Sequence, residues 1–357
     1  MGLGVDALGG WAELLTRVLA GVNLNRSGAQ AVMSAILSGD ATPAQIAAFL
    51  VALRAKGATS DEMVGFVSAM HQAGEPIDLG DLQAIDTCGT GGSEQRRSAA
   101  FNVSTLAAVV VAGAGGKVCK HGNRRATGTS GSADTLEFLG VAVDLPAEGV
   151  AACVREAGMG FAYAPRFHPG MRHAGPVRRE IGVRTVFNFV GPLANPARVR
   201  RQVVGVCEAE MAETVAGVLQ TNGAERAMVV HGADGLDELT TTGRSSVIQV
   251  EHDVVRQYEV SPGELGLEQV TSADLRGGDS AENARLARRI LDGERGPRRD
   301  LILLNAAAGI VVAGLADDLV EGLDRAEKAV DDGAAATALE NLVKVSQREA
   351  TQREATQ

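Results

Sequence analysis

The chain has 357 residues, 45 % of them apolar, 22 % charged and only 3 % aromatic. That length exceeds one small core and points to about two domains in an ordinary globular composition. A formal net charge of −10 sets it apart from general nucleic-acid binders, which are basic, so no nucleic-acid partner is expected.

Residues 11–75 read as successive short helices. Trp11, Leu14, Leu15, Val18 and Leu19 form a helical stripe, and Ala31, Val32, Ile36 and Leu37 form a second that stops at Gly39. The next segment has Thr42 as N-cap, Pro43 at the first helical position and Gly57 at its end. The one after repeats that design, with Thr59 or Ser60 as cap and Gly74 as stop. Beyond residue 79 the texture changes. "AIDTCGTGG", "KVCKHG", "AVDL", "FAYAPR", "RQVVGVC", "AMVVHG" and "SVIQV" read as strands, alternating with helices such as "FNVSTLAAVVVAGAG" and "SADTLEFLG". Such alternation predicts an α/β layer around a mainly parallel sheet. "RREIGVRTVFNFVGPLANP" reads as a helix followed by a proline-punctuated turn.

The expected organisation is a helical domain over 1–78, to which roughly 170–195 returns, and an α/β domain over 79–169 and 196–345. The final 346–357, with its repeated "QREAT", reads as a solvated tail. Cys88, Cys119, Cys153 and Cys207 lack metal or redox spacing and read as reduced core residues. The longest apolar stretches are too short to span a bilayer, and the N-terminus lacks a basic region followed by an apolar run. No membrane partner and a cytoplasmic location are therefore expected.

Three glycine loops stand out: Gly89 to Gly92, Lys120 to Asn123 and Thr127 to Asp134. Glycines let the backbone approach an anion, and the helix start beyond offers free N–H groups and a positive dipole end. Asn102, Ser104 and Thr105 lie at one such start, where hydroxyls either cap the helix or bind phosphate and a metal held by it. Between residues 117 and 201 stand thirteen Lys or Arg against six Asp or Glu, a basic island suited to a small polyanion. Asp234, Asp237 and Glu238 follow an apolar strand, where they make either a solvated acidic turn or a magnesium site completed by phosphate and water. "FHPGMRHAGPVRREIG" gathers His168, Arg172, His173, Arg178 and Arg179, and an arginine there can fork onto a carboxylate.

Together, "GTGG…FNVST", "KHGNR", "SGSADTLEFLGV", "HPGMRHAGPVRREIGVRTVFNFVGPLANPA" and "HGADGLDELT" resemble the marks of the anthranilate phosphoribosyltransferases, over about residues 10 to 340. The resemblance implies a small helical domain hinged to a larger α/β domain, as in pyrimidine nucleoside phosphorylases, and a homodimer formed through the helical domains. The implied reaction joins anthranilate to 5-phosphoribosyl diphosphate and releases pyrophosphate, the second step of tryptophan synthesis. The implied donor site comprises Gly89, Thr90, Gly91, Gly92, Asn102, Ser104, Thr105, Lys120 and Thr127, joined by Arg96 and Arg97. The implied acceptor path comprises His121, Asn123, His168, Arg178 and Pro192, with Arg178 on the carboxylate. Mg2+ is the implied cofactor, held by Ser104, Asp237 and Glu238 with the donor; no protein nucleophile is needed.

The resemblance departs after "GTGG". Ser93 stands where the family commonly has Asp, the run "SEQRRSAA" lengthens the loop, and Arg125 replaces a small residue. Arg96 and Arg97 are expected to add charge to the diphosphate clamp. The alternatives are a relative using another aromatic acid, a weakly active or inactive homologue, and, less favoured, a nucleoside phosphorylase on the same fold.

Overall fold

The structure, a computed structural model, describes residues 4–91, 101–124 and 130–356. Four helices open the chain: α1 (Gly10–Leu19), α2 (Arg26–Ser38), α3 (Pro43–Lys56) and α4 (Ser60–Ala73). Their starts are set by side chains. Thr42 and Gln45 form a reciprocal capping box on α3, with Pro43 at the first position, and Thr59 and Glu62 do the same on α4. Phe49 sits at the centre of the bundle, edge-on to Trp11 at 6.5 Å and to Phe66 at 6.2 Å. Glu62 is fully buried, and its charge is matched by Lys56 at 2.8 Å and by the Leu24 N–H at 2.9 Å.

A seven-stranded sheet follows, built from β1 (Ile85–Gly89), β2 (Val118–Gly122), β3 (Met159–Tyr163), β4 (Arg201–Gly205), β5 (Arg226–Gly232), β6 (Ser245–Glu251) and β7 (Val254–Val260). The strand order is β3-β2-β1-β4-β5-β6-β7. The first five strands are parallel, and β6 and β7 close the far edge as an antiparallel hairpin. The chain runs outward from β1 through β2 to β3, then returns to β4 and runs the other way. Strand order thus reverses between β1 and β4, where open α/β sheets leave a crevice at their carboxyl ends.

Helices cover both faces. On one lie α5 (Val103–Gly113), α6 (Ser132–Phe138), α7 (Ala147–Ala157), α12 (Ser280–Leu291), α13 (Pro297–Ala313), α14 (Leu319–Asp331) and α15 (Ala334–Thr356). On the other lies α11 (Ala212–Thr221), which packs on α4. The sheet shows the period of two expected of strands: Val203, Met228 and Val230 face the first core, while Val204, Ala227 and Val229 face the second. That second core is continuous with the helical bundle and also takes in α9 (Met171–Ile181) and α10 (Phe187–Leu193).

Several expectations are corrected. The "AVDL" run is not a strand. "FAYAPR" leaves the sheet at Tyr163 and turns into the short helix α8 (Ala164–Phe167), with Pro165 near its start. The proline-punctuated turn is a second helix, α10, that carries Pro192 inside it. Residues beyond 345 do not leave the fold as a tail. Helix α15 continues through Thr356, Ser346 is fully buried and accepts the Ala142 N–H at 3.1 Å, and Arg348 pairs with Glu156 at 2.7 Å. All four cysteines are free; three are buried and Cys207 is half-buried.

Candidate active site

The carboxyl ends of β1, β2, β4 and β5 carry most of the residues singled out in the sequence. The glycine turn after β1 is stitched to β4: Thr90 N–H donates to Gly205 O at 2.9 Å, and Cys207 N–H donates to Thr90 Oγ1 at 3.2 Å. The acidic loop after β5 folds back onto this turn, where Asp237 Oδ2 accepts the Gly91 N–H at 2.7 Å. The approach requires glycine at two strand ends, because a Cβ on Gly89 would overlap the Asp237 carboxylate and one on Gly205 would overlap the Asp237 carbonyl. Asp237 and Glu238 are only 1 % and 4 % exposed. The reading of this loop as a solvated acidic turn is therefore overturned.

On the other side of β1, Lys120 is buried, and its Nζ donates to the Thr87 carbonyl and to Ser104 Oγ at 3.3 Å. Ser104 and Thr105 occupy the first turn of α5, and Thr105 Oγ1 is buried without a hydrogen-bond partner among the described residues. Asn102 stands at the N-cap position, yet its side chain does not cap. Its Oδ1 accepts from Thr135 Oγ1 at 2.6 Å, Ser130 Oγ at 2.8 Å and Asn283 Nδ2 at 3.3 Å, which ties the start of α5 to α6 and α12. Gly92, Arg96, Arg97 and Thr127, together with Ser93 and Arg125, lie outside the described residues.

The acceptor candidates other than Asn123 gather against α10 or the residue that ends it. His121 Nδ1 lies 3.2 Å from Gly191 O and His168 Nε2 lies 2.9 Å from Ala194 O. Since a carbonyl only accepts, each of these nitrogens carries the proton, and Nε2 of a neutral His121 is an acceptor. Burial, reinforced by His168, pushes the His121 pKa well below the usual histidine range. The two rings meet edge-on at 5.1 Å. Pro192 offers its carbonyl to Gln202 Nε2 at 2.6 Å. The guanidinium of Arg178 stacks over Phe187 at 5.1 Å, one helical turn before Gly191, so Arg178 and His121 lie against the same stretch of α10. Arg178 is half-buried, has no anionic partner among the described residues, and burial lowers its pKa. Asn123 is exposed at the end of the β2 loop, with Oδ1 taking the Arg124 N–H at 2.7 Å.

Sequence reasoning missed two supports of this site. Asp86 is fully buried on β1 and accepts the His121 N–H at 3.2 Å and Asn195 Nδ2 at 2.8 Å, joining β1, β2 and the turn after α10. Burial lifts its carboxyl to about 6, against the pull of the Lys120 charge. Arg184, between α9 and α10, donates Nη1 to the Gly91 carbonyl. The only hint of either in the sequence was a charge standing at a strand or helix boundary.

Two family models match the chain: the helical bundle domain of a glycosyl transferase family over residues 12–74, and the a/b domain of that family over residues 81–336. The chain is 52 % identical over 334 residues to the anthranilate phosphoribosyltransferase of Thermomicrobium roseum, covering 92 % of this chain and 95 % of that one. It is 49 % identical over 329 residues to the enzyme of that name from Moorella thermoacetica, covering 92 % and 96 %.

The chain belongs to the anthranilate phosphoribosyltransferase family.

Solved structures of the family agree. The Thermus thermophilus anthranilate phosphoribosyltransferase superposes with a TM-score of 0.87 at 41 % identity, covering 93 % of this chain and 99 % of that one. The Saccharomyces cerevisiae enzyme in complex with PRPP and Mg gives 0.85 at 27 % identity, covering 95 % and 98 %. Another structure of the yeast enzyme contains 4-fluoroanthranilate; it gives 0.84 at 26 % identity, again covering 95 % and 98 %.

Proposed function

We propose that this protein transfers the phosphoribosyl group of 5-phosphoribosyl diphosphate to the amine of anthranilate and releases pyrophosphate. One observation carries the reading. Asp237 reaches into the glycine turn, so the anion loop and the acidic pair form one site, as a magnesium-bound diphosphate requires. On α9, with its guanidinium against Phe187 of α10, waits a half-buried arginine without an anion among the described residues.

The N–C1′ bond forms as the C1′–O bond to the diphosphate breaks, and the amine gives up a proton. The ribose passes through an oxocarbenium-like state, so catalysis consists of positioning the amine and stabilising the leaving group. The turn from Gly89 to Gly91, the α5 start with Ser104 and Thr105, and Lys120 hold the donor's phosphate groups. His121, His168, Arg178 and Pro192 line the acceptor's approach, with the Arg178 fork on the carboxylate.

Asp237 and Glu238 are hard oxygen donors suited to Mg2+, and Ser104 is the third candidate ligand. Among the described residues, no group of three Asp, Glu, His or Cys could hold a metal by itself. The pair therefore fits an ion that arrives with the donor and completes its shell with phosphate oxygens and water. Bound there, magnesium would neutralise charge on the departing pyrophosphate.

The reading places the protein in the second step of tryptophan synthesis and in the cytoplasm. Among the described residues, no helix is long and apolar enough to cross a membrane. We also propose a homodimer through the helical domain, supported by exposed Leu19, Val22 and Val51 on or beside the packed pair α1 and α3. Light scattering on the purified protein tests it, and a monomer at micromolar concentration rejects it.

The activity is tested by following anthranilate fluorescence with purified protein, 5-phosphoribosyl diphosphate and magnesium. Fluorescence should fall only when all three are present. Consumption of a different aromatic acid, with anthranilate untouched, would reject the acceptor.

A further inference from the structure

The glycine turn is held from a direction the donor chemistry does not require. Gly91 is gripped on both sides of its Cα. Its N–H goes to Asp237 Oδ2 at 2.7 Å, and its carbonyl takes Arg184 Nη1, with Cys207 Sγ at 3.4 Å. Arg184 lies between α9 and α10 and lays its guanidinium over Phe189 of α10 at 5.5 Å. Its Nε donates to Glu208 Oε1 at 2.8 Å. The second oxygen of Glu208 turns toward the helical bundle: Oε2 accepts Arg54 Nη1 at 2.6 Å, and Arg54 lies in the last turn of α3. A chain of charged contacts thus runs from α3 through Glu208 and Arg184 to the carbonyl of Gly91.

The inner part of this chain is sheltered. The side chains of Arg184 and Glu208 are 18 % and 14 % exposed, against 43 % for Arg54. A sheltered carboxylate forked between two guanidiniums fixes both of them, because each hydrogen bond is charge-assisted and little water competes. Arg184 offers a rigid planar fork whose separate nitrogens reach the carboxylate and the carbonyl at once, a spacing that a lysine's single nitrogen does not reproduce.

We propose that Arg184 is a positioning residue for the donor, and that Glu208 and Arg54 behind it set the glycine turn from the helical bundle. The inference rests on the reading of that turn as part of the donor site. Arg184 holds the Gly91 carbonyl and Asp237 the Gly91 N–H; the two groups belong to successive peptide planes that meet at the Gly91 Cα, so fixing the first limits the rotation of the second and sets the spacing between the glycine turn and the acidic pair. Any change in how α3 seats against the sheet reaches the donor along the same path. The bundle is then part of the donor site's geometry as well as of the acceptor's.

The test titrates 5-phosphoribosyl diphosphate with magnesium into each full-length protein by calorimetry, and measures acceptor KM and melting temperature alongside. Arg184→Ala should weaken donor binding by roughly tenfold while acceptor KM holds within about twofold. Arg184→Lys should recover part of that loss, since it keeps the charge but loses the fork. Arg54→Ala, at a half-exposed site, should weaken donor binding by about two- to fivefold in the wild-type background and add nothing once Arg184 is Ala. Additive losses would overturn the relay, and an unchanged donor affinity in Arg184→Ala would overturn the positioning role. If Arg184→Ala does not fold, Arg54→Ala decides, and unchanged affinity there overturns the proposal. A wild-type protein that binds the donor but leaves anthranilate unconsumed rejects the functional reading and not this inference. A wild type that does not bind the donor rejects both.

Discussion

Replacing Arg178 by Ala should damage one substrate and spare the other. The guanidinium is half-buried and its only described partner is the Phe187 ring at 5.1 Å. An aromatic face returns about 0.5–1 kcal/mol to an exposed cation and up to about 2 kcal/mol to a desolvated one. A forked carboxylate returns more, about 1.5–3 kcal/mol for a charged hydrogen-bonded group. At about 1.4 kcal/mol per tenfold, loss of that contact raises the apparent KM for anthranilate by roughly tenfold to a hundredfold. The contact binds ground state and transition state alike, so kcat should change far less, and donor KM should stay within about twofold. Arg178→Lys keeps the charge but not the fork and should fall between the two. The assay is the initial rate of anthranilate fluorescence loss, with each substrate varied in turn. Equal losses for both substrates, or an unchanged anthranilate KM, would refute the assignment.

Asp237→Asn with Glu238→Gln keeps the oxygen that accepts the Gly91 N–H and removes the charges; turnover should fall by at least about a hundredfold at low magnesium with an unchanged melting temperature, and near-normal activity there rejects the metal role. Arg96→Ala with Arg97→Ala should weaken donor affinity and flatten its salt dependence while acceptor KM holds; unchanged calorimetric affinity leaves the arginines in solvent. His71 is pushed down to about 4, mainly by burial and then by the Arg198 charge, so the unfolded chain takes up its proton first as pH falls below about 6.5. Stability should therefore drop between pH 6.5 and 4, by up to about 3 kcal/mol from this residue, and His71→Gln should remove that share in urea melts; an identical acid profile rejects it. Asp86, lifted to about 6 by burial, acts with the opposite sign between pH 4 and 6, so the variant must be compared with wild type at each pH.

What the sequence made legible had local causes. The strands β1, β2, β4 and β5 are short apolar runs closed by glycine, and α3 and α4 announce themselves by threonine caps and glycine stops. Strand β7 escapes a sequence reading because "VVRQYEV" is an edge strand exposed along most of its length, so no buried face imprints an alternation on it. The last helix reads as a tail because its polar repeat hides the one serine that turns inward. Arg54, Arg184 and Glu208 are far apart in sequence, and no spacing rule brings them to Gly91.

The burial of the acidic pair is the instructive miss. "GADGLDELTTT" has the composition of a solvated turn, and a carboxylate in such a run is ordinarily wet. The cause of its burial lies elsewhere in the chain, at Gly89 and Gly205, the last residues of two neighbouring strands. A glycine at a strand end is readily assigned to the approach of a phosphate. Here the missing Cβ atoms first admit the protein's own Asp237 loop, which docks against both strand ends and presents its carboxylate to the Gly91 N–H. One pair of glycines therefore seats the charges that, in the function proposed above, would hold the metal ion. A substitution as small as Gly205→Ala should for that reason cost metal-dependent activity before it costs the fold, since the first thing it displaces is Asp237. Magnesium titration of the variant's turnover checks this, and a half-activating concentration equal to wild type would reject the link between Gly205 and the metal-binding carboxylates.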